Sequence, residues 1–227
     1  MKSRWSVKKF LWLILSFCFV IQVQAGGENA SHWLDSLSCQ RNESEWINEF
    51  GRNKEIPVAY RTAILTALSY YPELKDIAID FRLAKIKTTM AAVPKIFSLF
   101  GKTERRRFVI KINRSTRSGA LLLEDLSFNS QVGVIGHELA HIVDYLNMRA
   151  GQVVKYGIDY LNIDKRRAIE ARTDLIAVQH GLGWQLLAFG REILAHPTVP
   201  LSYKKYKRRV YIQPHEMLFL LGITSFY

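Results

Sequence analysis

Two histidines separated by three residues are the first feature of this sequence that suggests chemistry. They are His137 and His141 in the run HELAH, with Glu138 between them. The run falls in a segment with helical hydrophobic periodicity, residues 129–146. Residues four apart lie one turn apart on the same helix face, so both imidazole rings can reach one metal ion. The pattern predicts a zinc site in which Glu138 projects toward a water molecule on the metal and acts as the general base.

A catalytic zinc ion needs a third protein ligand and one position open to water or substrate. The sequence offers Glu170, Asp174 and His180 as candidates. Glu170 and Asp174 are four residues apart in the next predicted helix and therefore share a face. We expect Glu170 to bind the metal and Asp174 to accept a hydrogen bond from the far nitrogen of His137, which would fix the tautomer of that ring. His180 precedes a glycine and is expected to end the helix, where it interacts with the helix dipole.

This arrangement resembles the gluzincin metallopeptidases, the thermolysin-like group in which HExxH is followed on a later helix by a glutamate ligand in an ExxxD motif. The later motif here reads Glu170-Ala-Arg-Thr-Asp174, and the resemblance covers roughly residues 105–180. It implies a minimal catalytic core with a zinc cofactor and a zincin-like α+β fold. Such a fold has a small, mostly antiparallel sheet, an edge strand beside the active-site helix, and a helical C-terminal half.

The resemblance also implies that a peptide substrate lies along the edge strand of the sheet. The predicted counterpart of that strand consists of Phe108, Val109, Ile110, Lys111, Ile112 and Asn113. Two other families that share HExxH fit less well. Metzincins need a glycine and then a histidine where this sequence has Asp144 and Asn147, and the surroundings of Cys39 do not match the cysteine motif of peptide deformylases.

The expected reaction is hydrolysis of a peptide bond. Zinc lowers the pKa of its bound water toward about 7, Glu138 removes the proton, and the hydroxide attacks the polarised carbonyl group. The charge that develops on the carbonyl oxygen needs a further hydrogen-bond donor. The candidates are His215, Tyr211, Tyr206 and His180, and His215 is our prediction.

The same ligand set suits two other functions. One is an exported zinc-binding interaction module without catalysis, which would fit the basic composition and the lack of a recognisable specificity element. The other is a zinc hydrolase of non-protein amides, such as cell-wall crosslinks or acylated sugars. Chelator-sensitive hydrolysis and substrate profiling separate these functions.

The elements that position these residues follow from the hydrophobic periodicity. The sequence predicts helices in residues 26–72, a small sheet in 76–113, the active-site helices in 129–180 and further helices in 183–227. These elements are expected to form a single domain, residues 26–227.

Three segments of the sheet region have strand character. Residues 77–83 and 107–113 alternate apolar and polar side chains, which predicts half-buried strands. Residues 88–93 are predicted to pair with the first strand. The charged flanks of residues 107–113 favour an edge position for that strand.

Further helices are predicted over residues 164–179 and 183–195, with Pro214 opening a last short helix. Residues 204–209 form a basic run that is interpreted as a solvated loop rather than a nucleic-acid surface.

Residues 1–25 are predicted to be a secretory signal peptide. Basic residues precede an apolar run from Phe10 to Val23, and Ala25 offers a small residue for cleavage. The run is short for a membrane span, which takes about 20 apolar residues, although an uncleaved N-terminal anchor is the alternative. In both cases the remaining chain is exported, to the periplasm or outside the cell.

The composition is that of a globular protein, with 48% hydrophobic and 23% charged residues. Cys39 is the only cysteine after residue 25, so an internal disulfide is excluded once the signal is removed. The formal charge is +12, and loss of the four basic residues of the signal leaves 28 basic and 20 acidic residues, or +8. We expect a peptide or protein substrate as partner, no specific nucleic acid, only weak contact with anionic surfaces, and membrane contact only through an uncleaved N-terminal segment.

Overall fold

A computed structural model of the chain describes residues 32–223. The predicted signal peptide and its cleavage site lie outside the described residues. The strands are β1 (Lys54–Glu55), β2 (Ala78–Ala84), β3 (Met90–Pro94) and β4 (Arg107–Asn113). The α-helices are α1 (Ser36–Arg41), α2 (Glu43–Phe50), α3 (Arg61–Ser69), α4 (Phe128–Leu146), α5 (Ala150–Asp159), α6 (Ile163–Gln179), α7 (Gly183–Ala195), α8 (Leu201–Val210) and α9 (Pro214–Leu220).

The four strands form one mixed sheet in the order β1-β2-β4-β3. Strand β2 pairs in parallel with β1 and with β4, and β3 runs antiparallel to β4. The α+β class is confirmed, but the sheet is not mostly antiparallel, and the segment predicted over residues 88–93 pairs with β4 rather than β2. The pairs involving β2 are parallel because α3 separates β1 from β2, and the reversed strand β3 separates β2 from β4.

Strand β4 lies inside the sheet, so the prediction that Phe108–Asn113 forms its edge is wrong. Phe108, Ile110 and Ile112 are fully buried, and β4 has a hydrogen-bonded neighbour on each side. An alternating pattern shows that one face of a strand is buried, but it carries no information about how many strands lie beside it. The edges of the sheet are β1 and β3.

Helix α4 runs through the centre of the fold. Most of its residues are buried, and it packs against α3, α6, α7 and β3. The hydroxyl of Ser127 caps its N-terminus by accepting a hydrogen bond from the backbone N–H of Ser130. Gly133 permits a close approach to α7, since a Cβ atom there would lie 2.2 Å from the carbonyl oxygen of Gln185. The middle of α4 is therefore held by packing on several sides.

The long periodic segments are found where the sequence predicts them, because α4, α6, α7 and α9 each begin within one residue of the expected position. The described part of the predicted N-terminal helical region contains three short helices, but it also contains strand β1, so the prediction of helices alone over residues 26–72 is wrong there. Helix α5 was not predicted, since Gly151 and Gly157 weaken its helix propensity. It is stabilised by tertiary packing of Val153 and Tyr156, which are both buried.

The basic run over residues 204–209 belongs to helix α8, and its interpretation as a solvated loop is wrong. Tyr203, Lys207 and Val210 are buried at helical spacing on one face of α8. The cations between them obscured that face in the sequence. Among the described helices, none combines the length and the apolar character needed to cross a membrane.

Candidate metal centre

Helices α4 and α6 bring three potential metal ligands together. The Nε2 atom of His137 lies 3.0 Å from Oε2 of Glu170, and Nε2 of His141 lies 3.5 Å from the same oxygen. One ligand atom from each of the three side chains lies within 4.8 Å of the others. The three residues are 4%, 6% and 0% exposed, respectively. The buried group that the two helices form could hold a metal ion.

The two separations between a histidine nitrogen and the glutamate oxygen fit a small tetrahedral ion. Metal–ligand bonds of 2.0–2.1 Å at the tetrahedral angle place ligand atoms about 3.3 Å apart. The observed separations of 3.0 and 3.5 Å bracket that value. Oε2 of Glu170 is also buried, and its polar contacts are the Nε2 atoms of His137 and His141. A buried carboxylate needs a compensating positive charge, which a cation bound between these three side chains can supply.

His137 is oriented by Asp174, the contact that the sequence predicts. Its Nδ1 atom lies 2.7 Å from Oδ1 of Asp174, so a proton on Nδ1 directs the Nε2 lone pair toward Glu170. Burial disfavours the charged ring, but hydrogen bonds to Asp174 and Glu170 outweigh it and raise the pKa of His137 to about 10. When no metal ion is bound, the protonated ring of His137 therefore supplies the positive charge of this site.

His141 is oriented by two hydroxyl groups that sequence reasoning missed. Its Nδ1 atom lies 2.8 Å from the Tyr156 hydroxyl and 3.2 Å from the Thr173 hydroxyl. Thr173 donates its own proton to the carbonyl oxygen of Ile169, so it can accept one from the ring. Thr173 precedes Asp174 on α6 and lies within the ExxxD motif itself, which is the signal that points to it. Tyr156 lies on the unpredicted helix α5.

Glu170 is held in place as an ionised ligand. Tyr160 donates a hydrogen bond to its Oε1 atom, which leaves Oε2 directed at the two histidines. Burial opposes ionisation, but hydrogen bonds from His137 and His141 hold the pKa of Glu170 well below its usual range. Burial and the Glu170 carboxylate raise the pKa of Tyr160, so this phenol stays a neutral donor.

Glu138 connects helix α4 to the edge strand β3. Its side chain is buried, and its Oε2 atom accepts a 2.6 Å hydrogen bond from the backbone N–H of Ala92. The strand next to the candidate metal centre is therefore Met90–Pro94 and not Phe108–Asn113. The N–H of Lys95 bonds to the carbonyl oxygen of Arg107 at one end of the β3–β4 pair, and the N–H of Asn113 bonds to that of Thr89 at the other end. In an antiparallel pair every second residue of a strand points its N–H away from the partner, and in β3 Ala92 is such a residue.

A cavity opens beside the metal centre and has both charged and apolar walls. His137, Glu138 and Asp174 line it. So do Lys207, which lies in α8, and Tyr211, which directly follows that helix. The remaining wall is mainly apolar, with contributions from Leu186, Phe189, Ile193 and Met217. The arrangement can enclose an organic ligand next to a metal ion.

The structure does not bring His215 to this site. It is exposed at the second position of α9, and the buried face of that short helix carries Met217 instead. Of the other predicted oxyanion donors, Tyr211 lines the cavity with its ring centroid 5.8 Å from that of His137. Tyr206 accepts a hydrogen bond from Arg166.

His180 ends helix α6, as the sequence predicts. Its Nδ1 atom lies 2.8 Å from the carbonyl oxygen of Ile176, and its Nε2 atom lies 2.7 Å from Glu73. The ring also stacks on Tyr71. Both ring nitrogens are therefore engaged outside the metal centre.

Comparison with known proteins adds no assignment: no protein-family model, no curated protein and no solved structure matches this chain.

Proposed function

We propose that this chain is an exported zinc-dependent peptidase of the gluzincin type, built on a zincin-like fold. The observation that supports the proposal is that Nε2 of His137 and Nε2 of His141 both lie within 3.5 Å of Oε2 of Glu170, in a buried group that could hold one metal ion. Zincin-like architecture is part of the proposal and is supported by the position of the edge strand β3 beside the metal helix.

Zinc is the metal that these ligands favour. Two imidazole nitrogens and one carboxylate oxygen form a common catalytic zinc set, which leaves a position for water or substrate. A structural zinc site instead has four protein ligands. His137, His141 and Glu170 are the three members of the ligand group found within the described residues.

The proposed chemistry assigns one role to each neighbouring group. Zinc held by these ligands would lower the pKa of water and polarise the carbonyl group of a substrate. Glu138 accepts the proton of the attacking water at its carboxylate and then delivers it to the leaving amine. The N–H of Ala92 orients that carboxylate through Oε2, which leaves Oε1 for the proton.

Strand β3 supports a peptide as the substrate. It is an edge strand next to Glu138, and an extended peptide can pair with the main-chain groups of that edge other than the N–H of Ala92, which Glu138 occupies. Thr88, Thr89 and Met90 also line the cavity at the end of this strand. A peptide paired with β3 would therefore pass close to the metal ligands.

The decisive experiment compares Glu138→Gln with a matched variant, Glu45→Gln. Glu45 is exposed on α2 and makes no ion pair in the described part of the chain. We expect wild type and both variants to carry about one zinc ion per chain by elemental analysis, since neither residue is a ligand. Peptide hydrolysis by wild type and Glu45→Gln should be abolished by a chelator and restored by zinc. Glu138→Gln should lower kcat by at least ~100-fold.

Other outcomes would favour the alternatives. Zinc binding without turnover of peptides or other amides would indicate an interaction module. Glu138-dependent hydrolysis of acylated sugars or cell-wall crosslinks, with peptides left intact, would indicate a hydrolase of non-protein amides. Unchanged peptide cleavage by Glu138→Gln would refute the assignment of the general base.

A further inference from the structure

The ammonium group of Lys207 is buried beside the metal centre without a hydrogen-bonding anion. The residue is 8% exposed and lines the same cavity as His137 and Glu138. Its Nζ atom lies 3.7 Å from the ring centroid of Tyr211 and 5.4 Å from that of Phe189. Within residues 32–223 it makes no ion pair or hydrogen bond.

Two buried hydroxyl groups lie near this lysine. The hydroxyls of Tyr203 and Thr89 contact each other, and neither makes a hydrogen bond to any further described residue. The ring centroid of Tyr203 lies 5.8 Å from Nζ of Lys207. Thr89 lines the cavity together with Lys207, and its hydroxyl contacts that of Tyr203. The cavity wall thus carries the Lys207 ammonium group and the Thr89 hydroxyl, and neither makes a hydrogen bond to a carboxylate of the described residues.

The acidic groups of the metal centre do not satisfy these donors directly. Glu138 accepts from Ala92, and Asp174 accepts from His137. Glu170 accepts from Tyr160 and faces the two histidines. Their charges make the position of a buried lysine less unfavourable, but a buried ammonium group still needs hydrogen-bond acceptors. Cation–π contact with Tyr211 compensates for only part of the lost hydration.

We propose that Lys207, with the hydroxyl of Thr89, binds a carboxylate of the substrate. This inference deepens the proposed function and rests on it, because it makes peptides that present a carboxylate group the preferred substrate class. A carboxylate accepts several hydrogen bonds at once and matches a cation with a hydroxyl group beside it. The apolar wall formed by Leu186 and Ile193 suits a short aliphatic stem that carries this carboxylate.

A substrate can present such a carboxylate in two ways, and hydrolysis assays distinguish them. One pair of amidated peptide libraries carries glutamate or glutamine at a fixed position. The other pair lacks acidic side chains and ends in a free acid or an amide. We expect the carboxylate member of one pair to have a kcat/KM ~10-fold or more above its neutral partner.

Variants of the subsite test whether Lys207 causes that preference. Lys207→Met should abolish it mainly by raising KM, and Lys207→Arg should retain part of it. Thr89→Val should weaken it while replacing only a hydroxyl by a methyl group, which covers the case in which the lysine variants fold poorly. Lys205→Met is the matched control, because Lys205 is exposed on the same helix. The absence of a carboxylate preference in wild type would overturn the proposal. The proposal would also be overturned if Lys207→Met lowered kcat equally for charged and neutral peptides.

A binding measurement separates failure of this inference from failure of the proposed function. Hexanoate and hexanamide are titrated into zinc-loaded Glu138→Gln protein, with and without Lys207→Met. We expect hexanoate to bind ~10-fold more weakly when Lys207 is replaced at equal zinc content, with hexanamide unaffected. This result without hydrolysis of any amide would refute the peptidase and preserve the carboxylate site. Hexanoate affinity that is independent of Lys207 would refute the carboxylate site even in an active peptidase.

Discussion

The Nδ1 atom of His137 lies 2.7 Å from Oδ1 of Asp174, although 37 residues separate them in the chain. Asp174 also accepts a 3.4 Å hydrogen bond from the backbone N–H of Ile212 through its other oxygen. This carboxylate therefore connects His137 on α4 to the segment that follows α8. That segment contains Ile212, which lines the cavity.

Replacement of Asp174 is expected to weaken zinc binding. Asp174→Asn keeps an oxygen that can accept from His137 but loses the charge, so zinc affinity should fall by about 10-fold, and by about 100-fold in Asp174→Ala. Competition with a chromophoric chelator measures both values. Asp164→Asn, at an exposed site on the same helix, should not change the affinity. Wild-type affinity in Asp174→Ala would show that this contact does not position the ligand.

The two hydroxyls at His141 are expected to substitute for each other. Tyr156→Phe and Thr173→Val each leave one acceptor for the Nδ1 proton, so each should lower zinc affinity only a few-fold. The double variant leaves the ring without either acceptor and should lose about 10- to 100-fold. A double-mutant cycle on zinc affinity then gives a coupling between the two sites. Strictly additive effects would mean that the hydroxyls do not share one ring proton.

Zinc removal is expected to destabilise the folded chain. At a free zinc concentration 100 times Kd, binding contributes about 2.7 kcal/mol. For a chain of this size the change corresponds to a Tm shift of roughly 5–10 °C. Thermal unfolding with zinc and with chelator measures the shift. Glu170→Gln removes a ligand, so its Tm should respond little to the chelator. An equal response in that variant would place the stabilising zinc elsewhere.

Gly133 is expected to be required for the packing of α4 on α7. In Gly133→Ala the new methyl group would meet the backbone of Gln185, which should cost about 1–3 kcal/mol of unfolding free energy. Gly157→Ala is the matched control, since a Cβ atom there meets nothing within 4 Å. The unfolding free energy of that variant should rise by up to about 1 kcal/mol, because alanine has a higher helix propensity than glycine. Urea unfolding measures both, and a neutral Gly133→Ala would contradict the close approach of the two helices.

The candidate ligands could be predicted from the sequence because their arrangement depends on helix geometry alone. Residues four apart share a helix face whatever surrounds the helix, which holds for His137 with His141 and for Glu170 with Asp174. The same periodicity located α4 and α6 within one residue. His215 could not be judged in this way, because its position depends on which face of α9 is buried.

Strand order could not be predicted from the sequence either. The alternation in Phe108–Asn113 reports one buried face, and it is the same for an interior strand and an edge strand. The edge position of β3 results from long-range pairing, as does the contact between Ala92 and Glu138. Lys207 illustrates the same limit, since its contact with Phe189 joins two different helices.

By itself, then, the sequence determined which residues can bind a metal and which helices carry them, because helical spacing is a local property. Only the tertiary structure decided that the two helices converge at one point, which strand lies beside Glu138, and which side chains enclose the cavity. Those relationships depend on packing between segments far apart in the chain, and no local pattern of residues encodes them.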